Sequence, residues 1–258
     1  MSRILSLGKL AEIVDDAALT ATEIPQLTDS QPLTVDDAYG VQALSLARRY
    51  ARGERRVGMK MGLTSRAKMA QVGVDEMVWG RLTDAMQVEE GGVIQMARFV
   101  HPRAEPEVAY LLKAPLAGKV TAAQALAAVE AVAPAIEIID SRYRNFKFAL
   151  PDVVADNSSS SAFVVGQWAK PDVDVGNLGL AVSVDGRVAQ VGSTAAILGH
   201  PMRSLVAAAR LVAQWGERLE PGWIILAGGI TAAHHLAAGM AVRLDMQKLG
   251  SVSFQVVE

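Results

Sequence analysis

Cysteine is missing from all 258 residues. Its absence excludes disulfides, thiolate metal sites and a cysteine nucleophile, and accords with a reducing cytoplasm as the expected compartment. Any metal must then be held by oxygen or imidazole. An excess of one charge is missing too. Lys and Arg number 25 against 27 Asp and Glu, a formal net charge of −2, so the basic footprint required by nucleic acid or anionic lipid is lacking. A small-molecule partner is expected instead. No apolar run reaches the roughly 20 residues of a membrane span; the stretch 122–139 is broken by Gln124, Glu130, Pro134 and Glu137. The first ten residues lead directly to Glu12, Asp15 and Asp16, without the apolar core of a signal peptide, and no export is expected. Internal repeats and low-complexity tracts are also lacking. What is there is 51% hydrophobic and 20% charged, enough apolar residue for a well-buried globular chain.

Residues 3–19 and 34–52 carry apolar positions at helical spacing, and Thr34-Val35-Asp36-Asp37 has the pattern of a capped helix start. From Val57 onward the texture changes to short, glycine-punctuated runs that predict strands over 57–63, 105–112, 135–139, 162–166, 179–195, 223–227 and 241–256. Helical patterns return at 121–133 and 202–218, and Val184-Asp185-Gly186-Arg187-Val188 predicts a hairpin with a tight primed turn. The expected fold is α+β. An N-terminal helical region (1–56) precedes a β-rich catalytic domain (57–258), in which one curved mixed sheet or barrel holds the site.

Three glutamates carry the chemistry. Glu105 and Glu107 flank Pro106, and on a strand residues i and i+2 project to one face. Glu137 sits inside Pro134-Ala135-Ile136-Glu137-Ile138-Ile139, alternating with isoleucines that belong to a core. Carboxylates packed into an apolar interior must be protonated, paired with arginine or lysine, or bound to a hard divalent cation. The cation is the expectation here, against an exposed strand face as the bland reading of Glu105 and Glu107. Other motifs carry less. Gly228-Gly229 lacks a GxGxxG or Gly-Lys-Ser context and reads as a strand-end turn rather than a phosphate cradle. His234-His235 and His200 share no ligand spacing with a third residue, and adjacent histidines on a strand diverge. Ser158–Ser161 reads as a polar loop, with no Ser-His-Asp arrangement visible.

Several motifs, in order, resemble the fumarylacetoacetate hydrolase superfamily in its hydratase and decarboxylase branch. They are Val57-Gly58-Met59-Lys60-Met61-Gly62-Leu63-Thr64-Ser65 with Ala67-Lys68-Met69-Ala70-Gln71, His101-Pro102 before Glu105-Pro106-Glu107, Glu137-Ile138-Ile139-Asp140-Ser141-Arg142-Tyr143, Val154-Ala155-Asp156-Asn157-Ser158, Leu198-Gly199-His200-Pro201 and Gly228-Gly229-Ile230-Thr231. The resemblance runs from about residue 35 to the end. Met61, the run 141–148 and the run 228–233 are more similar to the branch's decarboxylases than to its hydratases.

The resemblance implies a fold of the same type and a Mg2+ ion (Mn2+ as the alternative) held by Glu105, Glu107 and Glu137. It implies a small 2-oxo dicarboxylic acid as substrate, chelated through its carboxylate and ketone oxygens. The implied reaction is decarboxylation of 2-oxohex-3-enedioate to 2-hydroxypenta-2,4-dienoate in aromatic meta-cleavage catabolism, with hydration of that dienoate as the alternative. A non-catalytic partner subunit is the lesser one. Lys60 is expected to face the metal and offset charge or donate a proton, and Asp84 to handle a proton. Leu63, Arg142, Ser161 and Thr231 are expected to contact substrate, with Lys147 beside Arg142 as a second cation for a carboxylate. A homo-oligomer is implied, together with a complex with the pathway hydratase.

Overall fold

Residues 5–65, 69 and 76–258 are described by the computed structural model. Most of the Ala67–Gln71 motif therefore lies outside the described residues. The chain opens with two packed helices, α1 (Leu7–Leu19) and α2 (Val35–Ala51). Thr34 and Asp37 cap α2 reciprocally, each side chain bonding the other's backbone N–H. The buried Asp15 of α1 accepts hydrogen bonds of 2.7 Å from Arg48 and from Arg52, which locks the pair together.

From Arg56 the chain is mainly strand. The strands are β1 (Arg56–Gly62), β2 (Val78–Thr83), β3 (Gln87–Val88), β4 (Val93–Gln95), β5 (Arg103–Leu112), β6 (Val129–Ile139) and β7 (Ser160–Val165). They continue as β8 (Gly179–Val184), β9 (Arg187–Ser193), β10 (Ile224–Leu226), β11 (His234–His235), β12 (Ala241–Met246) and β13 (Gly250–Val257). Helices α3 (Ala122–Ala127), α4 (Leu150–Ala155) and α5 (Met202–Gln214) are inserted between them. One sheet runs β2-β1-β10-β5-β6-β7-β3, with β11 beside β5; the other runs β4-β13-β12-β8-β9. Parallel pairs (β1 with β10, β3 with β7, β4 with β13) mix with antiparallel ones, giving the mixed α+β architecture expected.

Three expectations shift in detail. The helix predicted over 121–133 stops at Ala127, and Val129–Ile139 is a strand paired with β5 along its whole length. Its alanines fit either period, but Val129, Val132 and Pro134 suit a strand, and a ten-residue partner settles the matter. The run 241–256 resolves into two strands, β12 and β13, as 179–195 does at the expected hairpin, between β8 and β9. That hairpin folds over a two-residue turn in which Asp185 and Gly186 both take positive φ. Strand β2 and helix α4, which periodicity did not single out, complete the site's surroundings.

Candidate metal centre

Register, rather than loop geometry, assembles the three acids. Glu105 pairs directly with Glu137 across β5 and β6, and Glu107 lies two residues on, opposite Ala135. Direct partners and i,i+2 positions share a face, so all three carboxylates project together. One oxygen from each lies within 4.8 Å of the others. Glu107 and Glu137 are wholly buried. The isoleucines on either side of Glu137 turn into the main core behind the sheet, as their alternation predicts.

Lys60 reaches the same face from β1, opposite Leu226 of β10. Three interstrand spacings of about 4.8 Å separate its backbone from that of Glu137, yet Lys60 Nζ lies 3.0 Å from Glu137 Oε2. Only a sheet curled around the site can close that gap. The floor of the same face is a small apolar cluster that includes Ala109, Ala133, Ala135, Phe163 and Leu226.

Each acid is held by a specific group. Ser160 Oγ donates to Glu137 Oε1 at 2.8 Å, and the Gly228 backbone N–H donates to Glu107 Oε2 at 2.6 Å. Glu107 Oε1 is buried with no hydrogen-bond partner. Gly228 and Gly229 form the turn after β10. At Gly228, φ is +108° and an added Cβ would meet Thr64 Oγ1 at 2.0 Å; at Gly229 it would lie 2.8 Å from the Glu105 carboxyl carbon. The turn must therefore be made of glycine to come this close to the acids.

Electrostatics follow from the crowding. Burial pushes the Glu107 carboxyl well above the usual carboxylate range, and Glu137 and Glu105 push it further, against Lys60 and the Gly228 N–H. Glu137 is raised for the same first reason, with Lys60 and Ser160 opposing. Burial disfavours the Lys60 ammonium, but the three glutamates outweigh it and hold its pKa above the ordinary lysine value. One ammonium faces three carboxylates, and an unpartnered buried oxygen points among them. A hard dication fits this donor set, since it takes oxygen ligands and supplies the missing positive charge.

The remaining sequence-predicted residues are dispersed. Leu63 follows β1 in a left-handed conformation, with φ 56°, beside Gly62. Thr231 Oγ1 donates to Gln190 Oε1 of β9 at 2.7 Å, while its neighbour Ile230 donates through N–H to the carbonyl of Pro106, between the two acids. Asp84 lies past the end of β2, its carboxylate accepting from the N–H and Nε of Arg55 at 2.9 and 3.0 Å. Gly80, opposite Lys60, is four residues away, roughly 13 Å along a strand. Arg142 is buried and bound to Asp156, with Nε 2.6 Å from Oδ1, and it donates to Ser161 Oγ. Lys147 follows the short turn Arg144–Phe146. His234 and His235 form β11, and His200 Nδ1 accepts from Met202 N–H.

Sequence reasoning missed Ser160 and the Gly228 N–H. The signal for Ser160 was its place in the Ser158–Ser161 run; the signal for Gly228 was the glycine pair itself.

The fumarylacetoacetate (FAA) hydrolase C-terminal family profile matches residues 49–257. A 4-oxalocrotonate decarboxylase of a Pseudomonas species is 59% identical over 250 residues, covering 97% of this chain and 98% of that one. A 2-hydroxyhexa-2,4-dienoate hydratase of Comamonas testosteroni is 36% identical over 249 residues, 94% of each chain. The solved 4-oxalocrotonate decarboxylase from Pseudomonas putida G7, complexed with magnesium and adipate, superposes with a TM-score of 0.95 at 42% identity, over 99% of this chain and 100% of that one.

Proposed function

Since this chain belongs to the fumarylacetoacetate hydrolase family, we propose that it is a metal-dependent carboxy-lyase that converts 2-oxohex-3-enedioate (4-oxalocrotonate) to 2-hydroxypenta-2,4-dienoate and CO2. The observation that carries the reading is the cluster of Glu105 with the buried Glu107 and Glu137, facing Lys60, in a chain 59% identical to a 4-oxalocrotonate decarboxylase. The three glutamates would hold Mg2+, with Mn2+ as the alternative, consistent with the magnesium complex of the Pseudomonas putida G7 relative. Bound there, the cation supplies Lewis acidity at the 2-oxo oxygen, where negative charge develops.

The protein's own groups do the rest. Loss of CO2 breaks the C5–C6 bond, and the electron pair spreads through the chain to the C2 oxygen. Lys60, held protonated by its acidic neighbours, offsets that charge and delivers a proton from Nζ to give the dienol. Ser160 and the Gly228 N–H fix the orientation of Glu137 and Glu107. The floor of this face is apolar, which suits the departing carboxylate, since a tight clamp would stabilise the ground state and oppose release. Leu63 and Thr231 are proposed as substrate contacts, because Gly62 lies beside Lys60 Nζ and Ile230 is bonded between the two acids of β5. Asp84, Arg142 and Ser161 are committed to bonds elsewhere, and no substrate role is proposed for them.

Hydration of the dienoate is the second reading, favoured by the 36% identical hydratase. Absorbance decay of 2-oxohex-3-enedioate with CO2 detection, with and without magnesium, separates the two. Magnesium-dependent CO2 release that falls at least a hundredfold in Glu107→Gln is expected. Consumption of 2-hydroxypenta-2,4-dienoate without CO2 release would replace the decarboxylase by the hydratase.

The reading extends to meta-cleavage catabolism in the cytoplasm, in keeping with a sequence free of cysteine. No helix among the described residues is long and apolar enough to cross a membrane. It extends also to a homo-oligomer associated with the hydratase that consumes its product, which light scattering on each protein alone and mixed would test.

A further inference from the structure

A cavity of about 460 Å³ lies between α1, α2, β7 and the segment 85–99, and neither the three glutamates nor Lys60 line it. Arg49, Arg52, Arg98 and Arg142 line it, against three carboxylates, Asp15, Glu54 and Asp140. Those carboxylates are already engaged. Asp15 is shared by Arg48 and Arg52, Glu54 accepts from Thr83 Oγ1 at 2.6 Å, and Asp140 accepts from the N–H groups of Val100 and His101. Arg49 is the cation held least closely: its side chain is 12% exposed, and its ion pair with Asp15 is 3.7 Å long, beyond hydrogen-bonding range. Burial, and then the like charge of Arg142, lower its pKa, against the opposing charges of Glu54, Asp15 and Asp156. The opposite part of the lining is apolar, with Met86, Val88, Ile94 and Phe99.

We propose that this cavity is a binding site for a small organic monocarboxylate, whose carboxylate is received by the Arg49 fork and whose apolar body lies along Met86, Val88, Ile94 and Phe99. A guanidinium pairs a carboxylate through two parallel N–H donors. A single fork receives a single carboxylate, which suits a monocarboxylate. The site is distinct from the glutamate cluster and does not rest on the proposed reaction. It touches that cluster indirectly: Arg142 and Ser161 in its wall are bonded to each other, and the preceding residue, Ser160, holds Glu137.

Benzoate is a suitable probe. It should be titrated calorimetrically into the magnesium-loaded full-length protein and into the Arg49→Met, Val88→Trp and Glu107→Gln variants, each checked for folding by its melting curve. Saturable 1:1 binding by wild type and by Glu107→Gln is expected, with affinity at least tenfold weaker in Arg49→Met. Val88→Trp keeps all four arginines, fills the apolar side and is expected to abolish binding. Binding lost in Glu107→Gln but kept in Arg49→Met would place benzoate on the acids and overturn the proposal, as would no saturable binding to wild type.

Discussion

Ser160 and Ser161 are adjacent, yet only Ser160 reaches the acids. Phe163 pairs with Glu137, and strict alternation back from it would aim Ser161 at the same face. The register slips between Ile138↔Ala162 and Ile139↔Ser160, so Ser161 is the extra residue of a bulge. Ser160 takes the inward position that Ser161 would have had. A bulge leaves no mark in a run of serines, so the sequence does not show which serine faces the acids. The glutamates were legible because nothing interrupts the register of β5 against β6 around them. Ser160→Ala should weaken magnesium binding about 10–100-fold, as loss of a bond that orients a ligand does, while Ser161→Ala should leave it nearly unchanged. Metal titration by calorimetry checks both; equal effects would show that the bulge does not discriminate between them.

At the scale of elements, the segment leading to Ser160 is the least ordinary part of the backbone. Asn157, Ser158 and Ser159 all take left-handed φ, at 50°, 52° and 61°, which costs roughly 1–2 kcal/mol per non-glycine residue. Neighbouring bonds hold the turn: Asn157 exchanges two hydrogen bonds with the backbone of Arg81, and Ser158 Oγ donates to the carbonyl of Trp79. Serine does not announce a left-handed turn as glycine would, so the sequence showed only a polar loop. The helical pattern over 121–133 misled for a related reason, since alanines fit both periods and the partner strand is distant in sequence. Asp156, which opens the turn, is wholly buried and its carboxyl is pushed up to about 6, burial outweighing Arg142. Its native pKa lies above the unfolded value, so between about 4 and 6 the folded state binds the extra proton. The contribution of this group to stability therefore falls as pH rises through that window and is constant above it. The melting temperature of wild type minus that of Asp156→Asn should shrink as pH goes from about 4 to about 7. A constant or growing difference would overturn this assignment.

At the scale of the molecule, the change of texture near residue 56 is legible in sequence, but the bonds that cross it are not. We propose 1–56 and 57–258 as two regions of composition that fold as one unit. Gln42 of α2 is buried, donating to the carbonyls of Trp79 and Val154 and accepting from Arg81. Tyr39 stacks on Trp79 with ring centroids 5.1 Å apart and accepts its backbone N–H. Thr28 binds Asp152 of α4 through both its N–H and its hydroxyl. Removing the helices would orphan these buried groups at about 1–3 kcal/mol each. It would also bare Trp79 and leave β2, the edge strand of the large sheet, open to pairing with other chains. Arg81 and the left-handed turn depend on the same contacts, so the loss would travel to Ser160 and the acids. Residues 57–258 expressed alone should therefore aggregate, or melt well below the full chain, and bind magnesium weakly. A soluble fragment that melts with the full chain and keeps its magnesium affinity would show instead that the helices are an appendage, and that the curled sheet alone holds the three carboxylates in place.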